Sequence, residues 1–197
     1  MPIFPLGTVL FPGGVLPLRI FEARYTDMVR ECMARSAPFG VCLITRGNEV
    51  GKPADHESIG CTAMIEDWDM TQPGVLELRT VGKSRFRILD TEVQPDGLIR
   101  ARTEAIAPDH DFPIPDNLTA CSVLAERLIE DVCKREPESN RRILAEPYQP
   151  HSAGWVANRL AELLPLAPAA RQMLMGLEDP LQRLAIIHEI LRHEQAI

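Results

Sequence analysis

Apolar positions follow two different periods along this chain. Up to about residue 107 they come in short runs cut by proline, glycine and aspartate, and beyond it they recur every three to four residues. The first part therefore predicts strands and the second helices. Pro5, Pro12, Gly13, Gly14 and Pro17 punctuate the opening runs, which cannot form one helix. Short strands joined by turns are expected over 2–6, 9–11 and 16–20. From Phe21 the spacing changes, and Phe21, Tyr25, Met28, Val29 and Cys32 share one face of a helix that packs against the sheet.

Further strands are predicted over 39–45, 59–65, 75–81, 85–89 and 98–103, each bounded by Gly, Pro or Asp. Leu76, Leu78 and Thr80 alternate with Glu77 and Arg79, and Phe86 and Ile88 with Arg85 and Arg87, which predicts one wet face. Gln94-Pro95-Asp96-Gly97 supplies the turn residues of an antiparallel hairpin. Residues 108–116, PDHDFPIPD, read as a solvated connector.

After it, Asp116 is placed to cap a helix whose face is Leu118, Cys121, Ala125, Leu128, Ile129 and Val132, with Pro137 ending it and a loop running to Gly154. Ser152 caps the helix that begins near Trp155. Pro168 starts another through Leu177, and Asp179-Pro180 opens the last, which buries some combination of Leu181, Leu184, Ile187, Ile190 and Leu191.

Composition narrows the function. The chain has 197 residues and a net charge of −7, and no basic block that would grip a phosphate backbone. No apolar run reaches the roughly 20 residues of a membrane span, and the N-terminus lacks the pattern of a signal peptide, so a cytoplasmic protein is expected. Cys32, Cys42, Cys61, Cys121 and Cys133 form no CxxC pair and read as reduced, mostly buried thiols.

Candidate chemistry is thin. Gly47-Asn48-Glu49-Val50-Gly51-Lys52-Pro53 is one spacer short of a phosphate loop and has Pro53 where a hydroxyl is needed, so it reads as a surface turn. His188 and His193 are five apart, roughly 140° around a helix, and do not converge on a metal. Asp109-His110-Asp111 has no second ligand cluster in view. His151-Ser152 is the one tight nucleophile–base pair, and capping explains it better. No catalytic residue, cofactor site or metal site is expected.

Three segments carry a family resemblance. The opening from Pro2 to Leu43, with Phe11-Pro12 and Phe21-Glu22-x-Arg24-Tyr25, resembles the start of the Lon protease N-terminal, substrate-binding domain. So do Val81-Gly82-Lys83-Ser84-Arg85-Phe86-Arg87-Ile88 and the phrase LPLAPAARQMLMGLEDPLQRLAIIHEIL near the C-terminus. The resemblance implies an α+β fold, with an N-terminal β-rich PUA-like pseudo-barrel carrying one packed helix over residues 1–107 and a C-terminal helical bundle over 108–197. It implies structural roles for Phe11, Pro12, Phe21, Glu22, Arg24, Tyr25, Gly82, Arg85 and Phe86. An ion pair within the Phe-Glu-x-Arg-Tyr signature and a phenol hydrogen bond are expected to lock the helix to the barrel.

The function it implies is a non-catalytic protein- or peptide-binding module, with no ATPase or Ser-Lys peptidase module following. Its partners would be unfolded or apolar polypeptide segments or a partner protein in quality control, with no nucleic acid and no membrane. The binding surface is expected where the two modules meet, at Trp155, Met173 and Met175. An RNA-binding PUA-like module is a rival that the acidic charge opposes. A small-molecule enzyme is another, and a pocket joining Arg85, Arg24 and a carboxylate would favour it.

Overall fold

The computed structural model describes residues 1–135 and 145–194. Seven strands and one helix occupy the chain up to Ala105: β1 (Pro2–Leu6), β2 (Val15–Ile20), α1 (Ala23–Arg35), β3 (Phe39–Arg46), β4 (Asp55–His56), β5 (Ile59–Gln72), β6 (Val75–Val93) and β7 (Ile99–Ala105). A 3-10 turn (Asp116–Leu118) leads into α2 (Thr119–Arg135), followed by α3 (Ala153–Leu163), α4 (Pro168–Gly176) and α5 (Pro180–His193).

The sheet closes on itself. Its path runs β1-β7-β6-β5-β3-β4, and β1 also pairs in parallel with β3, so β1, β7, β6, β5 and β3 form a ring. Closure removes most of the unpaired edges that an open sheet exposes. β2 lies outside the ring and pairs with the first part of β6. The β6–β7 hairpin turns as expected, with Gln94 N–H donating to Leu98 O and Gly97 at φ +86°, a conformation glycine adopts without steric cost.

The strands differ from the expected set in instructive ways. Residues 75–81 and 85–89 are one strand of 19 residues, because Gly82 stays in the ladder. Gly82 N–H donates to Gly14 O, and Gly13 N–H to Gly82 O, both at 2.8 Å. β5 continues past residue 65 through a register shift between Ile65 and Asp67. Val9, Leu10 and Phe11 are buried but irregular, since the Pro12-Gly13-Gly14 turn follows at once. Phe21 does not join the helical face: it precedes α1 and is 56% exposed, while Arg24 takes a buried place beside Tyr25, Met28, Val29 and Cys32.

In the second part Asp179 caps α5 by accepting from Leu181 N–H at 2.9 Å, and Pro168 and Pro180 sit in first turns. Ser152 holds the cap position of α3 without a side-chain bond, and Asp116 lies inside the 3-10 turn rather than capping α2. The expected stop at Pro137 lies outside the described residues. One apolar cluster runs from Phe11, Leu18 and Met28 through Trp155, Leu160, Leu174, Leu184 and Ile187, so sheet and helices share a core. A smaller cluster gathers Ile3, Cys42, Phe86, Ile99 and Ala101.

Candidate functional site

The core-facing phase of α5 runs Pro180, Leu184, Ile187, Leu191, and it includes Arg183, which is only 1% exposed. A buried guanidinium needs acceptors for its five donors. Arg183 Nε donates to Leu174 O at 3.0 Å, and Nη1 to Asp109 Oδ2 at 2.6 Å and Asn158 Oδ1 at 3.0 Å. Its Nη2 donates to Asp109 Oδ1 at 3.2 Å and to Leu177 O. Arg85 reaches the same place from β6, with Nη1 on Met175 O and Leu177 O and Nη2 on Asp109 Oδ1 at 2.7 Å.

The carbonyls of Leu174, Met175 and Leu177 lie at the C-terminal end of α4, where a helix leaves acceptors unpaired, and the two arginines satisfy them. Desolvation holds the Arg85 guanidinium below its ordinary pKa, with Asp109 opposing.

Beside this cluster is a cleft of about 480 Å³, lined by Pro12, Gly82, Arg85, Asp109, Trp155 and Asn158 among others, with Asp111 and Glu146 also on its wall. Trp155 is 9% exposed, stands edge-on to Tyr148 at 4.8 Å and lies 5.9 Å from the Arg159 guanidinium. Arg159 and Glu162 of α3 grip the turn after Phe11. Arg159 donates to Pro12 O at 2.9 Å and to Gly13 O, and Glu162 Oε1 accepts from Phe11 N–H at 3.2 Å. Burial pushes the Glu162 carboxyl up, against the opposing pull of Arg159 at 2.9 Å.

The residues singled out from the sequence divide between this cleft and a separate groove of about 300 Å³. Pro12, Gly82, Arg85 and Trp155 line the cleft, and Phe11 is fully buried next to it. Phe21, Glu22 and Tyr25 line the groove with Phe4, Ile20 and Val50. Arg24 pairs with Glu22 at 3.0 Å as expected and donates to Gly97 O at 3.0 Å. The expected phenol bond is not made: among the described residues the Tyr25 hydroxyl has no partner, and the ring instead stacks on Phe4 at 4.1 Å.

Phe86 belongs to the smaller core cluster. Neither methionine lines the cleft. Met175 is fully buried and offers its carbonyl to Arg85, while Met173, two residues earlier on α4, is 48% exposed on the opposite side. Arg85 also departs from the wet face expected of it, because the end of α4 and the connector cover it.

Arg85 and a carboxylate do meet at the cleft, but Arg24 is engaged elsewhere and, among the described residues, the lining holds no histidine or cysteine. Among the described residues no three His, Cys, Asp or Glu side chains gather as a metal site. Sequence reading gives no site role to Asn158, Arg159, Glu162 or Arg183. Three of them left a signal, since Arg183 falls on the apolar phase of α5 and Arg159-x-x-Glu162 has the spacing of a helical ion pair. Asp109 enters it only as a candidate metal ligand and not as a counter-charge, because composition makes 108–116 look solvated.

A family model described as the ATP-dependent protease La (LON) substrate-binding domain matches residues 1–193. The crystal structure of a Lon N-terminal domain protein from Xanthomonas campestris superposes with a TM-score of 0.78, at 34% identity and 96% coverage of both chains. The N-terminal domain of a Mycobacterium avium complex Lon protease has the same fold at a TM-score of 0.62 and 15% identity, covering 95% of both chains. Among curated proteins, Lon protease of Anaeromyxobacter dehalogenans is 23% identical over 100% of this chain and 23% of its own length. Cereblon of Danio rerio is 28% identical over 58% of this chain and 27% of its own length. The chain thus spans about a quarter of the length of the curated relatives it matches.

Proposed function

Because the chain belongs to the family of LON substrate-binding domains, we propose that it binds polypeptide and performs no chemistry of its own, with the cleft between β6, the connector and α3 as the docking surface. The observation that carries this reading is that Arg85 at the cleft and Arg183 buried behind it are spent on Asp109 and on the carbonyls ending α4. The wall offers Trp155 with Pro12, Pro108 and Pro147, beside Lys83 and the carboxylates of Asp111 and Glu146, which suits an apolar segment that is not acidic. The net charge of −7 opposes the RNA-binding alternative. We read the closed ring as PUA-like, residues 1–107 and 108–197 as its two modules, and the five unpaired thiols as those of a cytoplasmic protein in quality control.

The test is binding of the purified chain to a permanently unfolded protein, reduced and carboxymethylated lactalbumin. Ser84 is exposed at the cleft mouth, and Ser84→Trp fills it without touching the buried arginines. About tenfold weaker binding with an unchanged melting temperature is expected, and Met173→Asp, outside the cleft, leaves both unchanged. ATP hydrolysis or casein cleavage above a heat-killed control, or no binding by the wild type, overturns the reading.

A further inference from the structure

The groove at the start of α1 contains a polar group that the fold does not use. Tyr25 is 5% exposed, its ring fixed between Phe4 at 4.1 Å and the Arg24 guanidinium at 4.5 Å. Its hydroxyl has no hydrogen-bond partner among the described residues, yet it is not among the side-chain atoms sealed from the surface without one. A rigidly held hydroxyl that reaches the surface can donate to an acceptor entering the groove without breaking a bond inside the fold.

The surroundings define that acceptor's carrier. Phe4, Leu18 and Ile20 form an apolar floor, and Phe21 and Val50, 56% and 55% exposed, stand as apolar walls. The carboxylates here are already engaged: Glu22 pairs with Arg24 and accepts from Gly51 N–H, and Glu49 accepts from Gly7 N–H at 2.7 Å. Arg19 on the lining and Arg24 behind Glu22 match the two carboxylates in number, so an uncharged side chain fits better than an acidic or basic one. A volume of about 300 Å³ is at the small end of ligand sites and suits one side chain rather than a long segment.

The strand beside the groove points the same way. Gly14 O accepts from Gly82 N–H, and alternation from there turns the backbone groups of Val15, Pro17 and Arg19 away from β6. Pro17 has no N–H, so a continuous added strand is interrupted and a single anchoring residue remains possible.

We propose that this groove is a second anchor site on the domain, holding one uncharged aliphatic or aromatic side chain of a bound polypeptide while the Tyr25 hydroxyl donates to that segment's main-chain carbonyl. The proposal rests on the polypeptide-binding reading for its biological occupant, while the groove's ligand chemistry stands on its own geometry. Burial raises the Tyr25 pKa, which keeps the phenol protonated as a donor.

The probe is N-acetyl-leucinamide, followed by amide chemical shifts of the labelled chain, alongside the carboxymethylated lactalbumin assay. Leucinamide is expected to shift the amides of 18–25 and 49–51. Tyr25→Phe removes the hydroxyl alone and weakens probe binding about fivefold, and Val50→Asp, on an exposed wall, weakens it at least as much. Both variants melt with the wild type and also weaken lactalbumin binding. Leucinamide binding that these substitutions leave unchanged, shifts confined to the Trp155 cleft, or no binding at all overturns the proposal. Lactalbumin binding that survives both substitutions overturns the second anchor while leaving the cleft reading in place. Leucinamide binding with the expected losses, but no lactalbumin binding by the wild type, supports the groove's chemistry and overturns the polypeptide reading instead. Shifts at 18–25 that grow with protein concentration without probe identify a second copy of the chain as the occupant and overturn it too.

Discussion

Arg183 and Asp109 are 74 positions apart, and they meet as a buried two-pronged pair, with Arg183 Nη1 on Asp109 Oδ2 at 2.6 Å and Nη2 on Oδ1 at 3.2 Å. The same carboxylate takes Arg85, so one aspartate serves a strand, a connector and a helix at once.

Removing that carboxylate strands two guanidiniums in the core. Asp109→Ala is therefore expected to cost about 3–5 kcal/mol, the range for an orphaned buried partner. Urea denaturation followed by both tryptophan fluorescence and far-UV dichroism checks this. Sheet and helices share a core, so wild type and variant should each give one coincident transition. A loss under 1 kcal/mol would show that water replaces Asp109.

Glu162 predicts a pH effect. Its folded-state pKa is raised by burial, so between the unfolded value and the folded one the native state binds more protons. Stability attributable to Glu162 is thus present at low pH and falls as pH rises from the ordinary carboxylate value through the raised one. Glu162→Gln removes the titration, and the difference in unfolding free energy between wild type and variant should change with that sign. A difference independent of pH refutes the assignment.

Gly82 is predicted to tolerate no side chain. A Cβ there would sit 2.2 Å from Phe11 O, against backbone that is itself held by Glu162. Gly82→Ala should cost about 3 kcal/mol, through overpacking and displacement of the 11–14 turn. Thermal unfolding measures it, and a melting temperature equal to the wild type would mean that the turn yields freely.

Thiol reactivity separates the five cysteines. Burial pushes Cys42 up to about 12 and Cys121 up to about 11, and raises Cys61 and Cys32 as well, so their thiolates are scarce at neutral pH. Cys133 is half-buried and should be the one thiol that reacts quickly with Ellman's reagent at pH 8. All five should react in guanidinium chloride. Two or more fast thiols in the native protein would contradict the described packing.

Local chemistry made much of the chain legible in order. Proline and glycine placed the turns, alternation placed Leu76 and Leu78 on a buried face, and Asp179-Pro180 marked the start of α5 because capping depends on residues a few positions apart. The Glu22–Arg24 pair was legible for the same reason. Family membership followed from short motifs, each a local pattern. Only the tertiary structure decided which polar groups are buried. It placed Arg85 under the end of α4, turned Asp109 of a solvated-looking connector into the counter-charge of two arginines, sent Met175 into the core, and left Phe21 outside and the Tyr25 hydroxyl without a partner among the described residues. The physical reason is that burial of a charge is set by partners brought from 24 to 92 positions away, and no period or local spacing in a sequence encodes which distant carbonyl or carboxylate will stand beside a given guanidinium.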